Sequence, residues 1–382
     1  MPRPIDEAAQ RLRAWLVDHA LPLWGGAGFD ARHGRFEEHL TMDGRPFSRA
    51  PQRLIVQARQ IHSYVLAARK GWHADGDRLA RMAHASMLRD FRAPDGDPGW
   101  VFAVDRDGVP VDGRRDLYAH AFVLLALGSY AGRTGDPAVL ALADETLGFL
   151  DRYMQSPRGG FVEALPPGER PRRQNPHMHL FEAFLNLWEN THERRYLERA
   201  AEMHWLFTER FFQPETGVLL EYFDEEWRPA PGEAGHVVEP GHHCEWIWLL
   251  RRYERETGSD VQRHVDALYG HVQRHGRDGA GLLPDELLDD GRLRTPSRRL
   301  WPMTEAVKAH LLEAHRGRPG ALEAAVSLVD LMFERFLSGA APGGWIDRLD
   351  AAGAPLGNLM PASSLYHVVG AIDELDRFVG LA

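Results

Sequence analysis

The chain has 382 residues, is 44% hydrophobic and 10% aromatic, and carries 11 Trp, which is ample apolar surface for a large core and excludes a disordered chain. A formal net charge of −10 argues against a nucleic-acid partner, because phosphate binding wants clustered Lys and Arg. Cys244 is the only cysteine, so no intramolecular disulfide can form and a reducing compartment fits.

The first stretch, MPRPIDEAAQRLRAWLVDHA, has no continuous apolar run, and Asp6 and Glu7 come too early for a signal peptide. No window approaches the roughly 20 apolar residues that span a bilayer. A soluble, cytoplasmic protein without a membrane partner is expected. From here helical periodicity dominates. It predicts about twelve amphipathic helices, near 5–22, 52–70, 76–92, 116–133, 136–154, 176–191, 194–212, 242–257, 260–275, 300–315, 319–337 and 362–380.

Each odd-numbered helix is followed by a Gly-containing segment with turn chemistry. The six are GRFEEHLTMDGRP from Gly34, GWVFAVDRDGVP from Gly99, GGFVEALPPGERP from Gly159, GVLLEYFDEEWRP from Gly217, GLLPDELLDDGRL from Gly281 and GGWIDRLDAAGAP from Gly343. Gly, an apolar or aromatic pair, an acid and an Asp/Gly turn recur, and each segment is expected to form a short hairpin. Their spacing of about 60 residues is the signature of a repeat. Length alone suggests two or three domains, but six helix–hairpin–helix units fill the chain with no Pro/Ser-rich linker between them. Such units close into an all-α (α/α)6 barrel, a single catalytic domain over 1–382, with inner and outer rings of six helices and the short β-hairpins on one face. An open solenoid is the alternative, and the lack of polar capping repeats counts against it. The Gly- and Arg-rich loop 25–51 is expected to act as a mobile lid.

The even helices begin at the decorated face and carry unusual polar residues there. Helix two has Gln57 and Arg59; helix four, Tyr118 and His120; helix six, Gln174, Asn175, His177 and His179; helix eight, Glu239, His242, His243, Cys244 and Glu245; helix ten, Arg299, Trp301 and Glu305; helix twelve, Ser363, Tyr366 and His367. Polar groups in core-facing stripes are costly unless satisfied or functional. A ring would point them at one cavity. The partial positive charge of a helix N-terminus disfavours imidazolium, so a histidine there is expected to stay neutral and proton-accepting. Glu245, three residues after His242 on one face, is expected to orient that imidazole; His179 and Glu182 repeat the spacing.

Blander readings apply to single residues. Glu245 in a first turn also favours the dipole, and one histidine near a helix end is commonly a satisfied structural group. Four of them, His177, His179, His242 and His367, at corresponding ends point to a site. Cys244 reads as packing, Trp246 and Trp248 as packing between layers, and His264, His271 and His275 as solvated. Converging His and carboxylates could bind metal, yet there is no HExxH and no paired CxxC. No metal and no cofactor are expected.

The segments RQNPHMHLFEAF, VEPGHHCEWIWLL, RRLWPMTEAVKAHL and PASSLYH resemble the N-acylglucosamine 2-epimerase superfamily, across essentially the whole chain. Within it, NPHMHL and RRLWP look most like the bacterial mannose isomerases and the related sulfoquinovose isomerases. The resemblance implies a six-hairpin α/α barrel. It implies that His242, from PGHxxE, and His367, from SxxYH, form an acid/base pair with Glu245 as the partner of His242. It further implies that Asn175 and His179 bond sugar hydroxyls, that Arg59 in QARQ binds substrate, and that Tyr118 and Trp301 line the pocket. Extra groups for a sulfonate are not evident, which favours a neutral hexose.

The activity so implied is isomerisation of D-mannose to D-fructose through an enediolate, with a small-molecule monosaccharide as partner and a monomer or homodimer as assembly. The same site could return the proton to the opposite face and act as a 2-epimerase. Glycoside hydrolysis by a carboxylate pair drawn from Glu239, Glu245, Glu305 and Asp347, and non-catalytic sugar binding, are the competing classes.

Overall fold

The computed structural model describes residues 3–168 and 171–381; Met1, Pro2, Glu169 and Arg170 of the third Gly segment, and Ala382 lie outside the described residues. Twelve helices occur among the described residues. They are α1 (Pro4–Trp15, prolonged through a π turn at Leu16–Ala20 into Leu21–Gly25), α2 (Leu54–Arg69), α3 (Gly76–Phe91), α4 (Leu117–Thr134), α5 (Pro137–Phe149) and α6 (Asn175–Thr191). The second half comprises α7 (Arg194–Leu206), α8 (Pro240–Thr257), α9 (Gln262–His275), α10 (Leu300–His315), α11 (Ala321–Arg335) and α12 (Leu365–Val379).

Local chemistry sets the helix ends. Asp116 caps α4 by accepting the Ala119 amide, and Gly135 closes it in the left-handed conformation. Asp136 caps α5 one residue before Pro137. Gly258 closes α8 as Gly135 closes α4.

The even helices pack in the order α2, α4, α6, α8, α10, α12, and α12 returns to α2, so the inner ring closes. Each odd helix from α3 to α11 packs on the inner helix before it, and α1 packs on α12 and α11. The fold is an (α/α)6 barrel. Inner helices are buried on almost every face, as α4 and α8 show, whereas outer helices such as α3 bury one stripe and keep Arg and Asp on the other.

The Gly segments behave differently from six independent hairpins. Local pairing forms at Ala103–Val104 with Pro110–Asp112 and at Glu286–Leu288 with Leu293–Thr295. In the first, fourth and sixth segments it shrinks to single bridges, Leu40 to Pro46, Phe223 to Pro229 and Leu349 to Pro355. The more regular pairing joins consecutive repeats. The residues just ahead of each inner helix form a short antiparallel ladder with the next segment: Gln52–Arg53 with Ala103–Val104, Arg115–Asp116 with Ala164–Leu165, Arg172–Arg173 with Tyr222–Phe223, Val237–Val238 with Leu287–Leu288, and Arg298–Arg299 with Arg348–Leu349. Leu359–Pro361 with His39–Thr41 closes the circle. These ladders satisfy backbone groups that a hairpin too short to pair fully would leave open. They also hold loop 25–51 in the rim. None of the residues of that loop lines the cavity described below.

Candidate active site

Two registers of the repeat build the site. Four residues after the glycine of each segment stand Glu38, Ala103, Glu163, Glu221, Asp285 and Asp347. Five are carboxylates, and each reaches a group at the start of an inner helix. Glu38 accepts from Arg53 Nε at 2.6 Å, Glu163 from Arg173 Nε at 2.8 Å, Asp285 from Arg299 Nε at 2.8 Å and Asp347 from Ser364 Oγ at 2.7 Å. Glu221 accepts from Gln174 Nε2 at 3.0 Å and from His242 Nδ1 at 2.9 Å.

The second register lies in the first turns of the inner helices. Gln57, His120, His177 and His243 accept the amide protons of Phe36, Trp100, Phe161 and Leu219, pinning the Gly segments to the barrel. His177 also donates Nδ1–H to the Arg173 carbonyl at 3.1 Å. It is a structural clamp away from the cavity, which corrects its grouping with His179, His242 and His367. Two residues further on, about 200° around the helix, stand Arg59, Phe122, His179 and Glu245. With Glu305 and His367 they face the barrel axis.

All eight residues expected at the site, Arg59, Tyr118, Asn175, His179, His242, Glu245, Trp301 and His367, line one cavity of about 290 Å³, together with Glu239, Arg299, Asp347, Arg348 and Ser363. Arg59 donates to Tyr118 Oη at 2.8 Å and to the Ser363 carbonyl at 3.2 Å, and its guanidinium lies 4.1 Å from the Phe122 ring centroid. The Trp301 ring packs against both His242 and His367, with centroids 5.0 and 5.4 Å away. Gly241 permits this, because a Cβ there would come within 2.6 Å of the indole.

The partner of His242 is Glu221, not Glu245. The i, i+3 spacing of His242 and Glu245 places them one turn apart, but Glu221 arrives from the adjacent Gly segment with the better geometry. Glu239 stands 3.9 Å from the same Nδ1. Glu245 is fully buried, neither of its oxygens has a hydrogen-bond partner among the described residues, and Oε1 lies 3.9 Å from His179 Nδ1. Burial, with Glu305 and Glu182 nearby, raises its pKa well above the usual carboxylate range. The expectation that His242 stays neutral is also overturned. Burial alone would depress its pKa, but Glu221 and Glu239, with the Glu221 hydrogen bond, outweigh burial and raise it to about 9.

His367 has the opposite character. Its Nδ1 donates to Glu305 Oε1 at 2.8 Å, and Glu305 Oε2 meets Lys308 Nζ at 2.5 Å. Burial, reinforced by Arg59, Lys308 and His179, pushes His367 well below its ordinary value. His179 is lowered to about 4 by burial, against the pull of Glu182, to which its Nδ1 donates at 3.0 Å. The cavity therefore sets one histidine whose pKa is raised, His242, against two whose pKa is lowered, His179 and His367.

Sequence reasoning missed Glu221, Glu305 as the partner of His367, and Lys308. The recurring acid of the Gly segments was the available signal for Glu221. Elsewhere, His271 is buried beside His243 rather than solvated, and the buried Cys244 thiol is raised to about 12, as suits packing. Three buried groups have ligand atoms close enough to hold a metal ion: His179–Glu182–Glu245, Glu221–Glu239–His242 and Glu245–Glu305–His367. In each, a histidine Nδ1 already donates to a carboxylate. None of the helices is long and apolar enough to cross a membrane, among the described residues.

Residues 34–371 match the family model of N-acylglucosamine 2-epimerase. The chain is 37% identical to a mannose-6-phosphate isomerase of Rhizobium meliloti over 96% of both chains, and 29% identical to a D-mannose isomerase of Thermobifida fusca over 78% and 77% of the two. A D-mannose isomerase crystal structure superimposes with a TM-score of 0.86 at 20% identity, over 99% of each chain. The chain belongs to the N-acylglucosamine 2-epimerase family of sugar isomerases and epimerases.

Proposed function

We propose that this enzyme interconverts D-mannose and D-fructose through a cis-enediolate, with His242 as general acid and His367 as general base. The observation that carries this reading is the different company of two imidazoles that flank one sugar-sized cavity: His242 lies against Glu221 and Glu239, which raise its pKa, and His367 against a Glu305 already held by Lys308, with its own pKa lowered. His242 gives its proton to the ring oxygen as the C1–O5 bond breaks and takes one back from the O1 hydroxyl, leaving the open-chain aldehyde. Neutral His367 removes the C2 proton and returns it to C1 on the same face. Arg59, fixed by Tyr118, Ser363 and Phe122, stabilises the charge developing on O1. Asn175 and His179 bond hydroxyls, and Trp301 packs against a sugar face. Glu245, kept protonated by burial, is placed to donate a hydrogen bond to a sugar hydroxyl.

A neutral hexose suits the site better than a sugar phosphate, despite the name of the Rhizobium meliloti relative. Arg299 is held by Glu239 and Asp285, Arg348 lies 3.4 Å from Asp285, and Glu239 and Asp347 line the same wall. A phosphate dianion would meet carboxylates and already-paired guanidinium groups.

The second reading is 2-epimerisation. His242 and His367 both pack against Trp301; this reading sets them on opposite faces of the sugar, where reprotonation of C2 by His242 yields the epimer. Proton NMR of EDTA-treated protein with D-mannose in D2O separates the readings. Fructose deuterated at C1 supports the isomerase, and glucose deuterated at C2 the epimerase. No exchange from mannose, with turnover of mannose 6-phosphate instead, overturns the neutral-sugar assignment.

A further inference from the structure

The inner helices run from the active-site face to the opposite end of the barrel, where a second cavity of about 520 Å³ opens. We propose that this cavity is a binding site for a small anion of the phosphate or carboxylate class, and that its occupancy is felt by the catalytic base.

A missing side chain helps to create the space. His62, Glu182, Trp248 and Lys308 point into the cavity from α2, α6, α8 and α10, and on α12 the corresponding place is Gly370. A Cβ there would meet only Lys308 Nζ, at 3.9 Å.

The charge of the wall is unbalanced. Arg69, Lys70, Arg252, Arg255, Lys308 and Arg377 face four carboxylates. Four of the six cations are shared with these carboxylates, Arg252 and Arg255 with Glu189 and Lys70 and Arg377 with Asp373, while Glu182 is engaged by His179 and Tyr366 and Glu374 by Trp248 Nε1; among the described residues Arg69 has no carboxylate partner, and Lys308 is held only from behind the wall, by Glu305. Basic residues in the last turns of inner helices, such as Arg69, Arg255 and Arg377, offset the helix dipoles. Lys308 does not belong with them. It sits in the middle of α10, is 1% exposed, and holds its ammonium 3.5 Å from the Trp248 ring centroid. A buried mid-helix cation on a cavity wall is the kind of group that captures an anion.

The partition between the two cavities is one layer of side chains thick. Lys308 lines the second cavity and binds Glu305, which binds His367; Glu182 lines it and binds His179. His367 is faced by Arg59 from α2, His179 and Glu182 from α6, Glu245 from α8, and Glu305 and Lys308 from α10. An anion drawing on Lys308 loosens its hold on Glu305, whose charge then acts more fully on His367. His367 takes a proton more readily, and the acid limb of kcat/KM moves to higher pH.

The test is calorimetric titration of the full chain with inorganic phosphate, at ionic strength held constant with chloride. One saturable site is expected. Gly370→Met, which fills the cavity from a helical position that accepts a side chain, is expected to abolish the heat with helicity unchanged. Arg252→Gln, an independent variant, is expected to weaken binding several-fold. Absence of heat, or equal heat in Gly370→Met, overturns the site. This arm does not depend on the reaction catalysed. The coupling rests on the isomerase reading. Phosphate should shift the acid limb in the parent and not in Gly370→Met, whereas a rise in the KM for sugar alone would place the anion in the active-site cavity and overturn the proposal.

Discussion

Glu221 Oε1 accepts a hydrogen bond from His242 Nδ1–H at 2.9 Å, across 21 residues of sequence and from a different structural element. This pairing makes His242 an acid. Glu221→Gln keeps the hydrogen bond and removes the charge. We expect kcat/KM to fall by about 10²-fold, with the basic limb moving to lower pH from a position near 9. The stability sign follows from the same shift. The folded pKa of His242 is raised above its unfolded value, so its contribution is fully present below about 6.5 and is lost as pH rises through about 9. The thermal midpoint of Glu221→Gln should therefore lie below that of the parent at pH 6 and approach it above pH 9. An unchanged pH profile would remove Glu221 from this role.

His367 is the base in this scheme. His367→Asn should reduce both turnover and C2 exchange in D2O by on the order of 10³-fold, with circular dichroism unchanged. Retention of exchange in the folded variant would assign proton abstraction to another group.

Arg59 is held as a planar fork, one nitrogen on Tyr118 and another on the Ser363 carbonyl, with Phe122 beneath. Lysine keeps the charge but cannot reproduce that geometry. Arg59→Lys should lose about 10²-fold in kcat, mostly in kcat rather than KM. Tyr118→Phe, which removes one positioning contact, should cost several-fold. Equal activity of Arg59→Lys and the parent would show that charge alone suffices.

His177 separates structure from chemistry. It accepts from Phe161, donates to the Arg173 carbonyl and packs beside Trp227. His177→Leu should destabilise the fold by about 2 kcal/mol while leaving the KM for sugar near that of the parent. A large loss of kcat with an unchanged denaturation midpoint would move His177 into the site.

The barrel was legible in the chain because its two signals are local. Helical periodicity and a recurring Gly–apolar–acid segment survive in one dimension, and six copies without polar caps imply closure. The even-helix N-terminal residues were legible for the same reason, since polar groups stand out within apolar stripes. Sequence spacing could not show which acid serves which base. The His242–Glu245 and His179–Glu182 spacings look alike, yet only the second becomes a hydrogen bond. Neither could it separate His177 from His179, because a two-residue step on a helix sends one side chain to the loop and the other to the axis.

The sequence by itself determined the repeat, the closed ring and the set of side chains delivered to its mouth, because these follow from periodicity and helix polarity. The tertiary structure decided the protonation states. Those depend on charges from separate repeats buried together: Glu221 and Glu239 around His242, and Lys308, Arg59 and Glu305 around His367. The helix-end field, which the sequence does reveal, is too weak at His242 to prevail over Glu221 and Glu239.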